Sequence, residues 1–231
     1  MRQLLLFTTF LFGTLSLSAQ RTEVRDVAPF TGIAVSGAME TTVRKGPRRV
    51  EIKASPETLE RIETRVKNGR LIVQVRQDKW GNKNYKQRGR VEVTIVVPQL
   101  DYLAYNGSGS LVTTDRFGGE KLEVALNGTG NLSAEVEARE LHLEQNGAGR
   151  LAVAGSTERL KISKNGSGSL RAQDLSAATV TLTSNGSGNT QLHASSELTI
   201  QANGSGTIKY AGNPRLRSKI NGSGSVRQVN R

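Results

Sequence analysis

The second half of the chain carries one short turn, Asn-Gly-(Ser/Thr/Ala)-Gly, seven times at nearly even spacing. The copies begin at Asn106, Asn127, Asn146, Asn165, Asn185, Asn203 and Asn221. Their period of roughly 19 residues falls in the range of stacked-repeat architectures. Aligned on the asparagine, the flanking residues fall into columns. Apolar residues stand five before it (Leu122, Leu141, Leu160, Val180, Leu198, Leu216) and three before it (Leu103, Val124, Leu143, Ile162, Leu182, Ile200). A third apolar column stands five after it: Leu111, Leu132, Leu151, Leu170, Ile208 and Val226. Between the first two columns lie Tyr102, Glu123, His142, Lys161, Thr181, Thr199 and Arg217. Apolar-polar-apolar alternation is period two, the pattern of a half-buried strand.

Asn-Gly also favours the two-residue turn of a hairpin, so a meander is the competing arrangement. A meander needs no glycine at a fixed second position, yet both glycines are present in all seven copies. The pattern therefore predicts an all-β chain built as a parallel β-solenoid, one coil per repeat. Six steps at the inter-strand spacing make a stack about 29 Å tall. Each coil buries few apolar side chains, so stability must come from the stack. Stacked asparagines are expected to pass amide hydrogen bonds from coil to coil in a buried ladder, beside glycines that let the backbone corner tightly.

Residues 1–19 read as a secretory signal: Arg2, an apolar run from Leu4 to Leu17, and small residues at Ser16, Ser18 and Ala19. This predicts an exported protein, periplasmic, outer-surface or secreted. The chain has no cysteine, which excludes disulfides and a thiol nucleophile. Residues 20–29 are expected to be a flexible lead, and 30–231 a single domain with regular coils from about residue 100. Before those coils, Ser36-Gly37-Ala38 reads as a degenerate turn of the later type. Ser55-Pro56-Glu57 caps one helical turn, and Asn68-Gly69 closes a hairpin between Ile62–Lys67 and Leu71–Val75.

The order of these parts resembles the bacterial head-GIN domain, an auto-transporter adhesin family of unknown function. The residues that carry the likeness are Phe30-Thr-Gly-Ile33-Ala-Val35-Ser-Gly37, Val50-Glu-Ile52, Leu59, Ile62 to Val73 with Asn68-Gly69, Val91 to Leu100, and the Gly-Ser-Gly turns. The resemblance spans nearly all of the chain after the signal. It implies a secreted or envelope-associated, right-handed β-helix-like domain and supplies no catalytic residues.

Charge is unevenly spread. Between Thr41 and Arg90 there are 15 Lys or Arg against 5 acids, and from Val91 onward 14 against 12. Such a run serves either as a solvated face or as a site for acidic polymers. For the second case the candidate contacts are Trp80 and Tyr85 as stacking surfaces, with Lys79, Lys83, Lys86, Arg88 and Arg90 as charge. The two histidines, His142 and His193, lie in different coils, and His142 is expected to face solvent. No His/Asp/Glu cluster has metal-ligand spacing, and the turns lack the aspartate of calcium-binding solenoid repeats. No cofactor is expected. The acids show no column that would pair two carboxylates, as a glycan hydrolase needs.

Sequence alone thus favours an exported, non-enzymatic solenoid acting in adhesion or envelope interactions. Its partners would be an acidic glycan, lipopolysaccharide or an envelope protein, with nucleic acid disfavoured by export. An anionic-glycan or lipopolysaccharide binder using the basic 41–90 region is the alternative, and a polysaccharide-active enzyme is the rival from another class.

Overall fold

Alternation along each repeat produces strands, and glycine ends them. A computed structural model describes residues 20–76 and 89–230. In chain order these form β1 (Arg21–Arg25), β2 (Gly32–Ser36), β3 (Glu40–Lys45), β4 (Arg49–Ala54), a single helical turn α1 (Pro56–Leu59), β5 (Ile62–Lys67), β6 (Arg70–Val75) and β7 (Glu92–Val97). The regular part continues with β8 (Tyr102–Gly107), β9 (Ser110–Thr113), β10 (Lys121–Gly128), β11 (Asn131–Gly147), β12 (Arg150–Asn165) and β13 (Ser169–Ala172). It ends with β14 (Leu175–Asn185), β15 (Thr190–His193), β16 (Glu197–Asn203), β17 (Thr207–Ala211), β18 (Arg215–Asn221) and β19 (Ser225–Gln228).

The strands stack as a parallel β-solenoid. Segments before the turns pair in the order β6–β2–β8–β10–β11–β12–β14–β16–β18. Segments after the turns pair in the order β7–β3–β9–β11–β12–β13–β15–β17–β19. The register never slips across the turns: Asn106 pairs with Asn127, Asn127 with Asn146, and so on to Asn203 with Asn221. A one-residue slip would turn the apolar columns out to water, which is what holds the register. All three columns are buried between the sheets except at the last coil. Thr190 replaces an apolar residue in the third column and is buried there between Leu170 and Ile208.

The N-terminal third departs from chain order. β2 and β3 form a coil around Ser36-Gly37-Ala38, in which Ser36 takes the asparagine position opposite Asn106. This coil is not terminal. The chain leaves it outward to build β4 to β7 on one side, then returns so that β8 and β9 stack on the other. At the outer end β4 lies antiparallel between β1 and β7, and β5 lies antiparallel on β6. Antiparallel closure covers the parallel stack at this end.

Asn68 and Gly69 both take positive φ (51° and 72°) and close the predicted hairpin with Lys67 opposite Arg70. Ser55 caps α1 by accepting from the Thr58 N–H, with Pro56 in the first turn. The flexible lead expected at residues 20–29 is corrected in part. Residues 21–25 are a full strand on β4, and the Arg25 Nη2 donates to the Leu59 carbonyl at 2.8 Å. Backbone pairing with an open edge orders this segment, a cause that leaves no apolar pattern in the sequence.

Candidate ligand-binding face

The asparagines form one continuous amide ladder. Each Nδ2 donates to the Oδ1 of the preceding coil: Asn127 to Asn106 at 2.7 Å, Asn146 to Asn127, Asn165 to Asn146 and Asn185 to Asn165 at 2.9 Å. Asn203 to Asn185 and Asn221 to Asn203 follow at 2.8 Å. At the start Asn106 reaches the Ser36 hydroxyl at 3.4 Å. The ladder lies on the outer corner of the solenoid, half-buried at its first three rungs and exposed from Asn165 on, not buried as expected. None of these asparagines has a left-handed φ. From the second turn on, that conformation falls to the following glycine, as at Gly147 (φ 115°), where a Cβ would stand 2.5 Å from the Gly128 carbonyl oxygen. Asparagine is thus selected by side-chain bonding, and glycine by φ and close stacking.

The outward face beside the ladder carries the polar column that begins at Tyr102. In the stack, Gly32 lies between Arg70 and Tyr102. With no side chain on Gly32, the Arg70 guanidinium folds across the gap and sits 3.7 Å from the Tyr102 ring centroid. A Cβ at position 32 would come within 2.7 Å of the Arg70 Cγ. Such a stack is attractive by cation–π interaction and presents a flat cationic surface. Burial pushes the Tyr102 hydroxyl pKa up, partly opposed by Arg70. Two open depressions flank the pair. One, of about 530 Å³, is lined by Ala34, Lys67, Asn68, Arg70, Ile72 and Tyr102. The other, of about 280 Å³, adds Thr31, Asp101, Lys121 and Glu123, and its Thr31 hydroxyl bonds Asp101 at 2.8 Å.

Six of the residues expected to bind ligand, Lys79, Trp80, Lys83, Tyr85, Lys86 and Arg88, lie outside the described residues. Arg90 is described, and it is engaged: its guanidinium pairs with Glu40 and stands 3.5 Å from Glu92, which raises its pKa. His142 is half-buried in its column, a correction to the expected exposure, because it has a rung on either side, with Glu123 and Lys161 as its pairing partners.

Two features escaped the sequence reading. On the side away from the ladder, Arg139 bridges Glu120 (2.9 Å) and Glu158 (3.2 Å), while Arg159 holds Glu140 (2.5 Å) and lowers its pKa. These groups become neighbours only when coils stack, as the pairing of Glu140 with Arg159 shows. The other is Lys164. One residue before each asparagine the side chain points into the corner, and Lys164 is only 1% exposed there, between Gln145 and Ser184. Its Nζ has no hydrogen-bond partner among the described residues, and burial lowers its pKa.

Among the described residues no group of three or more His, Asp or Glu is placed to hold a metal ion. No helix among them is long and apolar enough to cross a membrane.

A model of the family described as "Putative auto-transporter adhesin, head GIN domain" matches residues 29–214. No curated protein matches the chain. Several solved structures share its fold. A "putative adhesin" of Bacteroides fragilis superposes with a TM-score of 0.83 at 20% identity, covering 91% of this chain and 97% of its own. A "putative lipid binding protein" of Parabacteroides distasonis gives 0.72 at 20% identity, covering 91% and 96%. A "putative adhesin" of Parabacteroides merdae gives 0.65 at 19% identity, again covering 91% and 96%.

Proposed function

We propose, from the premise that the chain belongs to the head GIN domain family, that it is an exported, non-enzymatic adhesion module that binds acidic, extended glycans such as lipopolysaccharide. The observation that carries this reading is the Arg70–Tyr102 stack over Gly32. The guanidinium takes a carboxylate or phosphate in two-pronged geometry, while the Tyr102 ring it lies on holds its plane in position. Lys67 stands in the larger depression and adds positive potential, whereas in the smaller one Lys121 is offset by Asp101 and Glu123. A rigid, laddered face presents these groups without ordering a loop on binding, which lowers the entropic cost of association.

Export rests on the signal-like residues 1–19. Trp80, Tyr85, Lys79, Lys83, Lys86 and Arg88, which lie between β6 and β7 in sequence, are proposed as additional contacts.

The test is binding of the mature chain to immobilised lipopolysaccharide and to an uncharged glucan, across a salt series. Arg70→Ser and Tyr102→Ala are each expected to weaken lipopolysaccharide binding at least tenfold, and Arg70→Ser to flatten the salt dependence. Unchanged affinity in both variants at low salt would remove this face from consideration. Turnover of either polymer would overturn the non-enzymatic reading.

A further inference from the structure

The two ends of the solenoid are not equivalent. At the N-terminal end, β1 and β5 close the stack with antiparallel pairings. At the other end β18 and β19 pair on one side only, and nothing among the described residues pairs with the other side. Earlier coils bury their inward residues, as Leu198 and Ile200 show. In the last coil Leu216 is 38% and Ile220 36% exposed.

Strand alternation sets what this edge offers. The Arg215 N–H donates to the Ser196 carbonyl at 2.8 Å, and the Asn221 carbonyl accepts from the Gly204 N–H at 2.8 Å. Odd-numbered residues of β18 therefore direct their backbone groups to β16. Leu216, Ser218 and Ile220 direct theirs to the open side. The amide ladder ends the same way. Asn221 gives its Nδ2 to Asn203, and its Oδ1, the atom that accepts from the next rung in every earlier coil, has no donor among the described residues.

Charge selects the occupant. From Leu198 to Arg231 the sequence holds Lys209, Arg215, Arg217, Lys219, Arg227 and Arg231, with no Asp or Glu. Arg215, Arg217 and Lys219 are exposed on the outer side of β18, where Glu197 of β16, opposite Arg215, is the one acid in register with them. Devices that block an edge place a charge inward, a proline or a bulge in the strand. Here the inward positions are Leu216, Ser218 and Ile220.

We propose that β18 is a docking edge for an acidic extended segment of a partner protein. The segment adds parallel to β18 as one more rung, with carboxylates beside Arg215, Arg217 and Lys219 and apolar side chains over Leu216 and Ile220. Main-chain bonds supply affinity, and the alternating side chains supply selectivity. A second copy is the poorer occupant: antiparallel pairing of two β18 strands about Ser218 sets Arg217 opposite Lys219, and like charges directly opposite are destabilising. This surface is separate from the Arg70–Tyr102 face, so either assignment can fail without the other.

The test titrates the chain into labelled acetylated peptides by fluorescence anisotropy. The probe ELEVELNG follows the rung pattern of β10 with acidic outer positions; KLKVKLNG reverses the charge, and EEEEEEEG carries more negative charge, seven glutamates against three, without apolar residues. The expected result is saturable binding of ELEVELNG, at least tenfold tighter than either control. Ser218→Pro removes an edge-facing N–H without breaking a bond to β16 and is expected to lose that binding with an unchanged far-ultraviolet spectrum. Should this variant not fold, the double variant Arg217→Glu with Lys219→Glu reads the same proposal, by switching preference to KLKVKLNG. Equal binding of ELEVELNG and EEEEEEEG would overturn the proposal, as would full binding by a folded Ser218→Pro. A dimer of the unmodified chain that ELEVELNG does not dissociate would overturn it in favour of a second copy.

Discussion

Replacing Asn165 by alanine tests the amide ladder most directly. Asn165 donates to Asn146 and accepts from Asn185, both at 2.9 Å, so the substitution removes two hydrogen bonds. The side chain is exposed and the backbone φ is ordinary, so neither a cavity nor released strain confuses the result. A net contribution of about 0.5–1.5 kcal/mol per bond predicts a loss of about 1–3 kcal/mol. Asn221 is the internal control. It has one ladder bond, to Asn203 at 2.8 Å, and its alanine variant should lose about 0.5–1.5 kcal/mol. With a urea slope of about 2–3 kcal/mol/M, the midpoint of Asn165→Ala should fall by about 0.3–1.5 M, roughly twice the shift of Asn221→Ala. Far-ultraviolet circular dichroism follows the unfolding. Asn165→Asp adds a direction test. Its carboxylate still accepts from Asn185 but faces the Asn146 carbonyl oxygen, which raises its folded pKa above the unfolded value. The native state then binds more protons, so this variant regains stability as pH falls through that folded pKa. Equal losses for Asn165→Ala and Asn221→Ala would refute the ladder as a source of stability.

Lys164→Met removes a buried, unpartnered ammonium and should stabilise the chain by about 1–3 kcal/mol in the same urea assay. Because burial lowers the Lys164 pKa, the unfolded chain binds more protons between the folded and unfolded values. Stability should therefore rise with pH until the ordinary lysine value is passed, and Lys164→Met should abolish that slope. Tyr105→Phe deletes a hydroxyl that lies 2.8 Å from the Gly37 carbonyl and 2.9 Å from the Met39 carbonyl. Its expected cost is about 1–3 kcal/mol in thermal or urea unfolding, because buried groups of the first turn lose their partner. Gly147→Ala forces a Cβ against the Gly128 carbonyl at a left-handed φ, and should cost more than about 2 kcal/mol, whereas Ala148→Ser at the variable turn position should change stability by less than about 0.5 kcal/mol.

How much could be read in advance follows from the range of the interactions. The repeat determined the architecture because a solenoid writes its tertiary contacts at a constant separation. Leu141 meets Leu122 and Leu160 for the same reason that Asn146 meets Asn127 and Asn165. The Asn68-Gly69 hairpin was legible because its turn is local. The order of coils at the N-terminal end was not, since returning to stack β8 on β2 leaves no periodic trace. Tertiary structure alone decided that Arg70 and Tyr102 meet across Gly32, that Arg90 is held by Glu40 and Glu92, and that residues 21–25 form a strand. It also decided that, among the described residues, antiparallel strands close one end while β18 and β19 pair on one side only. Those outcomes depend on which segments become neighbours after the chain doubles back, and a one-dimensional pattern carries only contacts that recur.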